Sequence, residues 1–185
     1  MVLRRALVAL ALVVALVAAG GVAVARSTPA LRTSGPTSVT GTEATGVFQI
    51  ADRTIRQVRY ADHGTLRYTF EVTNDSRLPL TILGLAADQP RPRLFELERL
   101  SAQDGTRDID LAAGQTATVT LDLGMSGCET LSARAGSFVT EVVVRTEQAG
   151  VFDDDVVLTL PEELHTGSPR EAFCPESTAT SRPPG

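Results

Sequence analysis

The stretch LRYTFEVT, residues 66–73, alternates apolar and polar side chains at every step. A period of two is typical of a β-strand that buries one face and exposes the other. The stretch TATVTLDL, residues 116–123, repeats this pattern, and NDSR at 74–77 places turn-forming residues directly after the first stretch. These segments predict that the chain folds as an all-β domain.

Other short apolar or β-branched runs predict further strands around this pair. They are LTILGL at 80–85, whose glycine predicts a bulge, FVTEVVVR at 138–145 and DVVLTL at 155–160 with the hairpin residues QAG at 148–150 between them, and two runs at 47–50 and 54–60. Residues 94–100 suit a strand or a short helix, and we favour a strand because Asp104-Gly105 follows as a turn. About seven or eight short strands without a long helical pattern predict a β-sandwich.

The first 25 residues carry a targeting or anchoring signal. Met1–Arg5 is basic, and the apolar run ALVALALVVALVAAGGVAVA occupies 6–25. As a signal peptide, the run ends in the cleavage pattern Ala23-Val24-Ala25. As a signal-anchor, it is long enough to cross ~30 Å of hydrocarbon. The signal-anchor predicts a single-pass membrane protein with its C-terminal domain outside. The signal peptide predicts a protein secreted after cleavage near Ala25.

Composition divides the rest of the chain into three parts. Residues 26–46 are rich in Thr, Ser, Gly and Pro and lack a sustained apolar period, which predicts a flexible linker. Residues 47–175 hold the predicted sandwich, whose core should be aliphatic because only 4% of the residues are aromatic. Residues 176–185, ESTATSRPPG, predict a disordered tail.

The charge of the chain bears on its partners. All 17 basic residues are arginine, and 22 acidic residues give a net charge of −5. Phosphate contacts supply most of the affinity of nucleic-acid-binding proteins, and a mildly acidic domain without basic clusters offers few of them. We therefore expect no nucleic-acid partner.

The two cysteines, Cys128 and Cys174, predict a disulfide. Two thiols in an exported chain most often pair with each other, because exported proteins fold in oxidising surroundings. The alternative is a pair of buried free thiols. Such a bond would join the loop at Cys128 to the C-terminal segment.

Residue types with catalytic or metal-binding chemistry are sparse. His63 follows Ala61-Asp62 in a predicted turn, and His165 lies beyond the predicted strands, so neither has an evident nucleophile to serve as base. The acidic segments 104–110 and 153–155 do not follow a calcium-loop spacing, and we interpret them as a solvated turn and a charged strand start. We predict no catalytic residue, no metal site and no cofactor.

The loop QPRPRLF, residues 89–95, is the one connection with a distinct character. Its alternation of proline and arginine predicts an extended segment that could present the guanidinium groups of Arg91 and Arg93 to an anionic partner. The plainer reading is a stiff connection between strands. Arg91 and Arg93 are therefore the candidate partner-binding residues.

Two motifs resemble immunoglobulin-like domains of bacterial envelope proteins. YTFEVTNDS at 68–76 followed by LPLTI at 78–82 is similar to their "V-x-N" strand end, turn and "P-h-T-I" strand. LAAGQTATV at 111–119 resembles their "L-x-P-G" segment, with Ala113 in place of the proline. The whole chain is similar to exported or membrane-anchored proteins of high-GC Gram-positive bacteria. The resemblance implies an immunoglobulin-like sandwich and carries no catalytic residue.

These observations predict a membrane-tethered extracytoplasmic interaction module whose partner is another envelope protein, not an enzyme. An exported enzyme with an active site built from distant residues, or a structural spacer, are the alternatives. A deep polar cleft with convergent carboxylates would favour the enzyme. A smooth sandwich with a flat, exposed apolar face would favour the module.

Overall fold

A computed structural model describes residues 10–16, 20–21, 28–42, 44–59, 63–92, 94–125 and 137–166. Residues 10–16 and 20–21 are helical, and the other described segments form ten strands. The strands are β1 (Leu31–Thr40), β2 (Thr45–Ile50), β3 (Arg53–Val58), β4 (Thr65–Asn74), β5 (Leu80–Leu85), β6 (Phe95–Ala102), β7 (Ile109–Leu111), β8 (Thr116–Met125), β9 (Ser137–Gln148) and β10 (Phe152–Thr166).

The strands form two sheets that face each other across one core. The first sheet has four strands in the order β1-β4-β8-β6, and the second has six in the order β2-β3-β10-β9-β5-β7. All the pairings are antiparallel except that of β3 with β10, which is parallel. Buried apolar side chains from both sheets join in a single cluster, which confirms the all-β prediction.

The pairing of β4 with β8 organises the four-stranded sheet. Its register runs without a shift from Thr65 opposite Gly124 to Thr73 opposite Thr116. The side chains that the period-two pattern predicted to face inward are buried, except that Ala117 is only partly so: Leu66, Tyr68, Phe70 and Val72 on β4, and Val119, Leu121 and Leu123 on β8. Burial of each large apolar side chain stabilises the fold by roughly 1.5–3 kcal/mol relative to exposure.

The β9–β10 hairpin supplies much of the facing layer. The two strands turn through Ala149 and Gly150, whose φ angles are 53° and 71°. Because glycine adopts positive φ without steric cost, it suits this turn. The inward side chains are Val139, Val142 and Val144 on β9 and Leu158, Leu160 and Leu164 on β10. The predicted hairpin at 148–150 is therefore confirmed.

The other predicted strands are also present. In β5 the register shifts between Ile82 and Gly84, and Gly84 has a φ of 117°, which confirms the predicted bulge. The ambiguous segment at 94–100 is the strand β6 and not a helix. The two short runs near the start of the domain are β2 and β3.

The prediction of a flexible linker over residues 26–46 was wrong for Leu31–Thr40. This segment is β1, which pairs along β4 from Leu31 opposite Asn74 to Thr40 opposite Arg67. The ordered domain therefore begins before residue 47. The sequence pattern missed β1 because it is an edge strand of half-buried Thr and Ser residues, and backbone pairing rather than an apolar stripe stabilises it.

The prediction of seven or eight strands was too low, since the described residues form ten. Besides β1, the sequence pattern missed β7, which has only three residues. His165, placed beyond the last strand by the sequence pattern, lies within β10. The predicted tail at 176–185 lies outside the described residues.

Asn74 fastens the turn that follows β4. Its side chain is fully buried, and its amide nitrogen donates to the carbonyl oxygens of Leu78 (2.9 Å) and Leu111 (3.0 Å). Its side-chain oxygen accepts a hydrogen bond from the backbone N–H of Ser76 (3.0 Å). One amide thus links the end of β4 to the turn before β5 and to the end of β7, which gives the "V-x-N" pattern a physical reason.

Asn74→Ala should lower the free energy of unfolding by about 2–4 kcal/mol, because buried carbonyl groups lose their donor. Urea denaturation of the folded domain measures this loss. Asp75→Ala is the matched control, since the neighbouring Asp75 makes an exposed ion pair with Arg32 and should change stability little. Equal losses in the two variants would contradict the role given to Asn74.

Candidate functional site

An ion pair is enclosed between the two sheets. Arg56 on β3 donates from Nε and Nη2 to the two carboxylate oxygens of Glu162 on β10, at 2.5 and 3.0 Å. Thr37 on β1 donates to Glu162 (2.8 Å) and accepts a hydrogen bond from Arg56 (3.0 Å). The side chains of Arg56 and Glu162 are only 11% and 10% exposed. This cluster therefore ties the edge strand β1 to the opposite sheet.

The hydroxyl of Tyr68 is buried beside this cluster and makes no hydrogen bond of normal geometry. Burial raises the pKa of Tyr68 well above its ordinary value, and the negative charge of Glu162 raises it further. The phenol is therefore held neutral in the folded protein. Because the cluster and the phenol are closed off from solvent, their role is structural.

The outer face of the six-stranded sheet carries a different cluster at the end formed by β3, β9 and β10. The ring of Phe138 stacks on His165 with the two ring centroids 4.3 Å apart. The guanidinium group of Arg53 lies 5.9 Å from the centroid of the Phe138 ring and forms a bidentate ion pair with Glu163. A hydrogen bond from Arg53 lowers the pKa of Glu163, so this carboxylate stays charged.

Exposed apolar side chains surround this ion pair. Phe138 is 45% exposed, and Phe48 and Ile50 on β2 are 39% and 55% exposed. Register places Phe48 opposite Ile55 and Ile50 opposite Arg53 on β3. It also places Ile55 beside Glu163 on β10, and His165 on β10 opposite Phe138 on β9. Because paired residues point to the same face of a sheet, Phe48, Ile50 and Phe138 share the outer face with the ion pair. We call Phe48, Ile50, Arg53, Phe138 and Glu163, with the adjacent His165, the apolar face. Ordinary solvated sheet faces carry alternating polar side chains instead.

The candidate partner loop is partly described. Arg91 is exposed between β5 and β6, whereas Arg93 lies outside the described residues. The loop starts at Gln89, whose side chain accepts a hydrogen bond from the backbone N–H of Val143 on β9 (3.0 Å) and donates to the carbonyl of Ala86 (2.9 Å). This anchoring agrees with a stiff connection between strands. Cys128 and Cys174 both lie outside the described residues.

The acidic segments are used within the fold. Asp104 accepts hydrogen bonds from the N–H and hydroxyl of Thr106, and Asp153 pairs with Arg145 (2.6 Å). In the part of the chain that the structure describes, no three His, Cys, Asp or Glu side chains group as metal ligands would. His63 occupies a turn with a φ of 54°.

A shallow, open depression of about 490 Å³ lies at the end of the six-stranded sheet. Pro79, Leu80, Leu111 and Ala112 contribute to its lining, and its one carboxylate belongs to Asp110, which accepts a hydrogen bond from Thr81 (2.7 Å).

Within the described residues, no helix is both long and apolar enough to span a bilayer. The described part of the N-terminal run is short: residues 10–16 form a helical segment whose apolar side chains are exposed.

Sequence reasoning missed the apolar face and the enclosed ion pair. The signal for Phe48 was present, because VFQI at 47–50 places two apolar residues side by side and so departs from strict alternation. For Arg56 and Glu162 there was no signal, since each stands in a strand where a charged residue is ordinarily taken as solvent-facing.

Comparison with known proteins assigns no family. No protein-family model matches the chain, and a comparison with curated proteins gives no match. Function is therefore inferred from the fold and from the chemistry of the surface.

Glu162→Gln should lower the free energy of unfolding by about 3 kcal/mol or more, because it leaves the enclosed Arg56 without a counter-charge. Urea denaturation at neutral pH measures the loss. Glu163→Gln is the matched control: it makes the same chemical change one residue along β10, where the partner Arg53 is half exposed and the effect should be small. A larger loss for Glu163→Gln would refute the assignment of the enclosed pair as the structural one.

The stability of the protein should fall above about pH 10 because of Tyr68. The folded state holds this phenol protonated, whereas the unfolded chain releases its proton, so the unfolding free energy falls by up to ~1.4 kcal/mol per pH unit. Tyr68→Phe should remove this contribution to the pH dependence of the unfolding free energy and should lower that free energy little at pH 7. Urea denaturation of both proteins at pH 9 and 11.5 tests this prediction. An equal loss of unfolding free energy between the two pH values in both proteins would show that Tyr68 is not the cause.

Proposed function

We propose that this chain is a membrane-tethered, extracytoplasmic immunoglobulin-like module that binds another protein of the same envelope and has no catalytic activity. The observation that carries the proposal is the apolar face. Exposed aromatic and aliphatic side chains gathered around a charge-neutral ion pair match the composition of protein–protein interfaces, which are enriched in aromatic residues and arginine.

The chemistry of the apolar face favours a protein partner over a charged polymer. Arg53 and Glu163 neutralise each other, so the face offers no net charge to a polyanion. Phe138 stacks on His165, and the guanidinium group of Arg53 lies 5.9 Å from the centroid of its ring. A ring restrained by such contacts loses little conformational freedom on binding. A partner with a complementary apolar surface would bury Phe138, Phe48 and Ile50 together.

The immunoglobulin-like class is supported by the motifs that carry the resemblance. The "V-x-N" residues end β4, and the "P-h-T-I" residues begin β5, where Asn74 joins the two through its buried amide. These strands belong to different sheets, so the motif marks a crossing between the layers of the sandwich.

The proposed extracytoplasmic localisation is supported by the N-terminal sequence. A basic start precedes an apolar run at 6–25, as in signal peptides and signal-anchors. In the anchored form the run holds the domain at the membrane, where the partner is found; in the alternative, cleavage near Ala25 releases the domain.

Phe138→Ser should reduce capture of the partner at least several-fold in cells, because it removes the more exposed of the two phenylalanine rings of the apolar face. Cells expressing the full chain are treated with a membrane-impermeant crosslinker, and the captured protein is identified by mass spectrometry. Val151→Ser is the matched control, since Val151 is also exposed but lies at the tip of the β9–β10 hairpin. Equal loss of capture in the two variants would show that the face is not the binding site.

The same crosslinking experiment shows whether the partner binds at the apolar face or at the loop of residues 89–95. The double change Arg91→Ala and Arg93→Ala should leave capture intact if the apolar face binds the partner, and should abolish it if the loop does. Turnover of an ester, glycoside or phosphate substrate by the purified protein would overturn the non-enzymatic reading as a whole.

A further inference from the structure

The described residues form four edge strands, and three of them carry features that prevent pairing with another strand. β1 has a register shift between Ser34 and Ser38 and contains Pro36. β6 is bulged between Leu97 and Arg99 and carries several charges, and β7 is only three residues long. Bulges, prolines, charges and shortness are the devices by which natural proteins protect sheet edges.

The fourth edge, β2, has none of these devices. Its sequence is TGVFQI, without charge or proline, and it pairs with β3 in unshifted register. All six of its residues are exposed, including Val47 at 48% and Phe48 at 39%. An uncharged edge strand with exposed apolar side chains and no bulge is a template for an added strand.

The backbone groups that β2 leaves open can be identified from its register. Arg59 donates its N–H to the carbonyl of Ala44 (2.8 Å), which makes Ala44 and Arg59 a hydrogen-bonded pair. Such pairs alternate along an antiparallel ladder, so the even-numbered residues of β2 bond to β3. The N–H and C=O groups of Thr45, Val47 and Gln49 therefore point away from β3, towards the open edge.

We propose that β2 pairs antiparallel with β2 of a second copy of this chain, about a two-fold axis at Val47. This register sets Val47 opposite the partner copy's Val47, and Thr45 opposite Gln49 twice, so every open backbone group gains a partner. It also sets Phe48 opposite Gly46 twice. Each aromatic ring then covers a glycine, a combination that stabilises sheet pairs by shielding the glycine backbone.

The self-association goes beyond the proposed capture of another envelope protein and does not depend on it. A single strand pair is small beside the ~1,200–2,000 Å² of stable interfaces, so the dimer is weak in dilute solution. Anchoring of both copies in one membrane would raise their effective concentration and favour it.

Cysteine crosslinking of the full chain in lipid vesicles tests the register. Val47→Cys should give a disulfide-linked or bis-thiosulfonate-linked dimer, because the two Cα atoms would lie about 5.5 Å apart across the axis. Val157→Cys is the matched control: Val157 is 55% exposed but lies on β10, inside the sheet. A dimer from Val47→Cys at least tenfold above that from Val157→Cys supports the proposal, and equal yields overturn it.

A second pair of variants tests the backbone role. Val47→Pro removes an N–H that points to the open edge and leaves the bonds to β3, whereas Val47→Ala keeps that N–H. Sedimentation of the full chain in detergent, at protein concentrations high enough for the unchanged chain to dimerise, should show a dimer weakened at least tenfold for Val47→Pro and nearly unchanged for Val47→Ala. Equal dimerisation of the two variants would refute the strand pairing. If no other envelope protein is captured while the Val47→Cys dimer forms, the proposed function is refuted and the pairing of β2 with a second copy is not.

Discussion

The unshifted register between β4 and β8 is the constraint on which the rest of the sandwich depends. Side chains alternate across a strand, so a slip of one residue would carry Leu66, Tyr68, Phe70 and Val72 from the core to solvent. With this register fixed, the paired strands β4 and β8 present an apolar inner face. The inward side chains of β9 and β10 can then pack against it as a single core.

Buried polar groups complete what apolar packing leaves unspecified. Apolar packing tolerates many arrangements of two sheets, whereas a buried polar group accepts only those that give it partners. Asn74 imposes such a requirement at the turn after β4, and the pair of Arg56 with Glu162 imposes it where β1 meets the opposite sheet. These contacts hold edge segments that have little apolar surface of their own.

Both exposed phenylalanine rings of the described residues lie at the corner formed by β2, β3, β10 and the start of β9. The apolar face lies on the outside of this corner, and the open edge of β2 borders it. Exposed apolar rings mark a surface that favours association, and an edge with open N–H and C=O groups readily pairs with another strand. The proposed partner protein would cover the apolar face, and the proposed second copy would pair with the open edge of β2. These two contacts would explain why the domain exposes apolar side chains and an unprotected strand edge at this corner.

The sequence by itself determined the fold class and most of the strands, because β4, β5, β8, β9 and β10 carry local alternation or turn residues that need no distant partner. It also predicted the turn after β4, the β9–β10 hairpin turn and the loop of Arg91. Only the tertiary structure decided that residues 31–40 form β1, since pairing with β4 stabilises that strand. It alone decided that Glu162 faces inward and Glu163 outward, and that Phe48 and Phe138 share one exposed face. The face of a strand that is buried depends on what packs against it, and that information lies in residues far away along the chain.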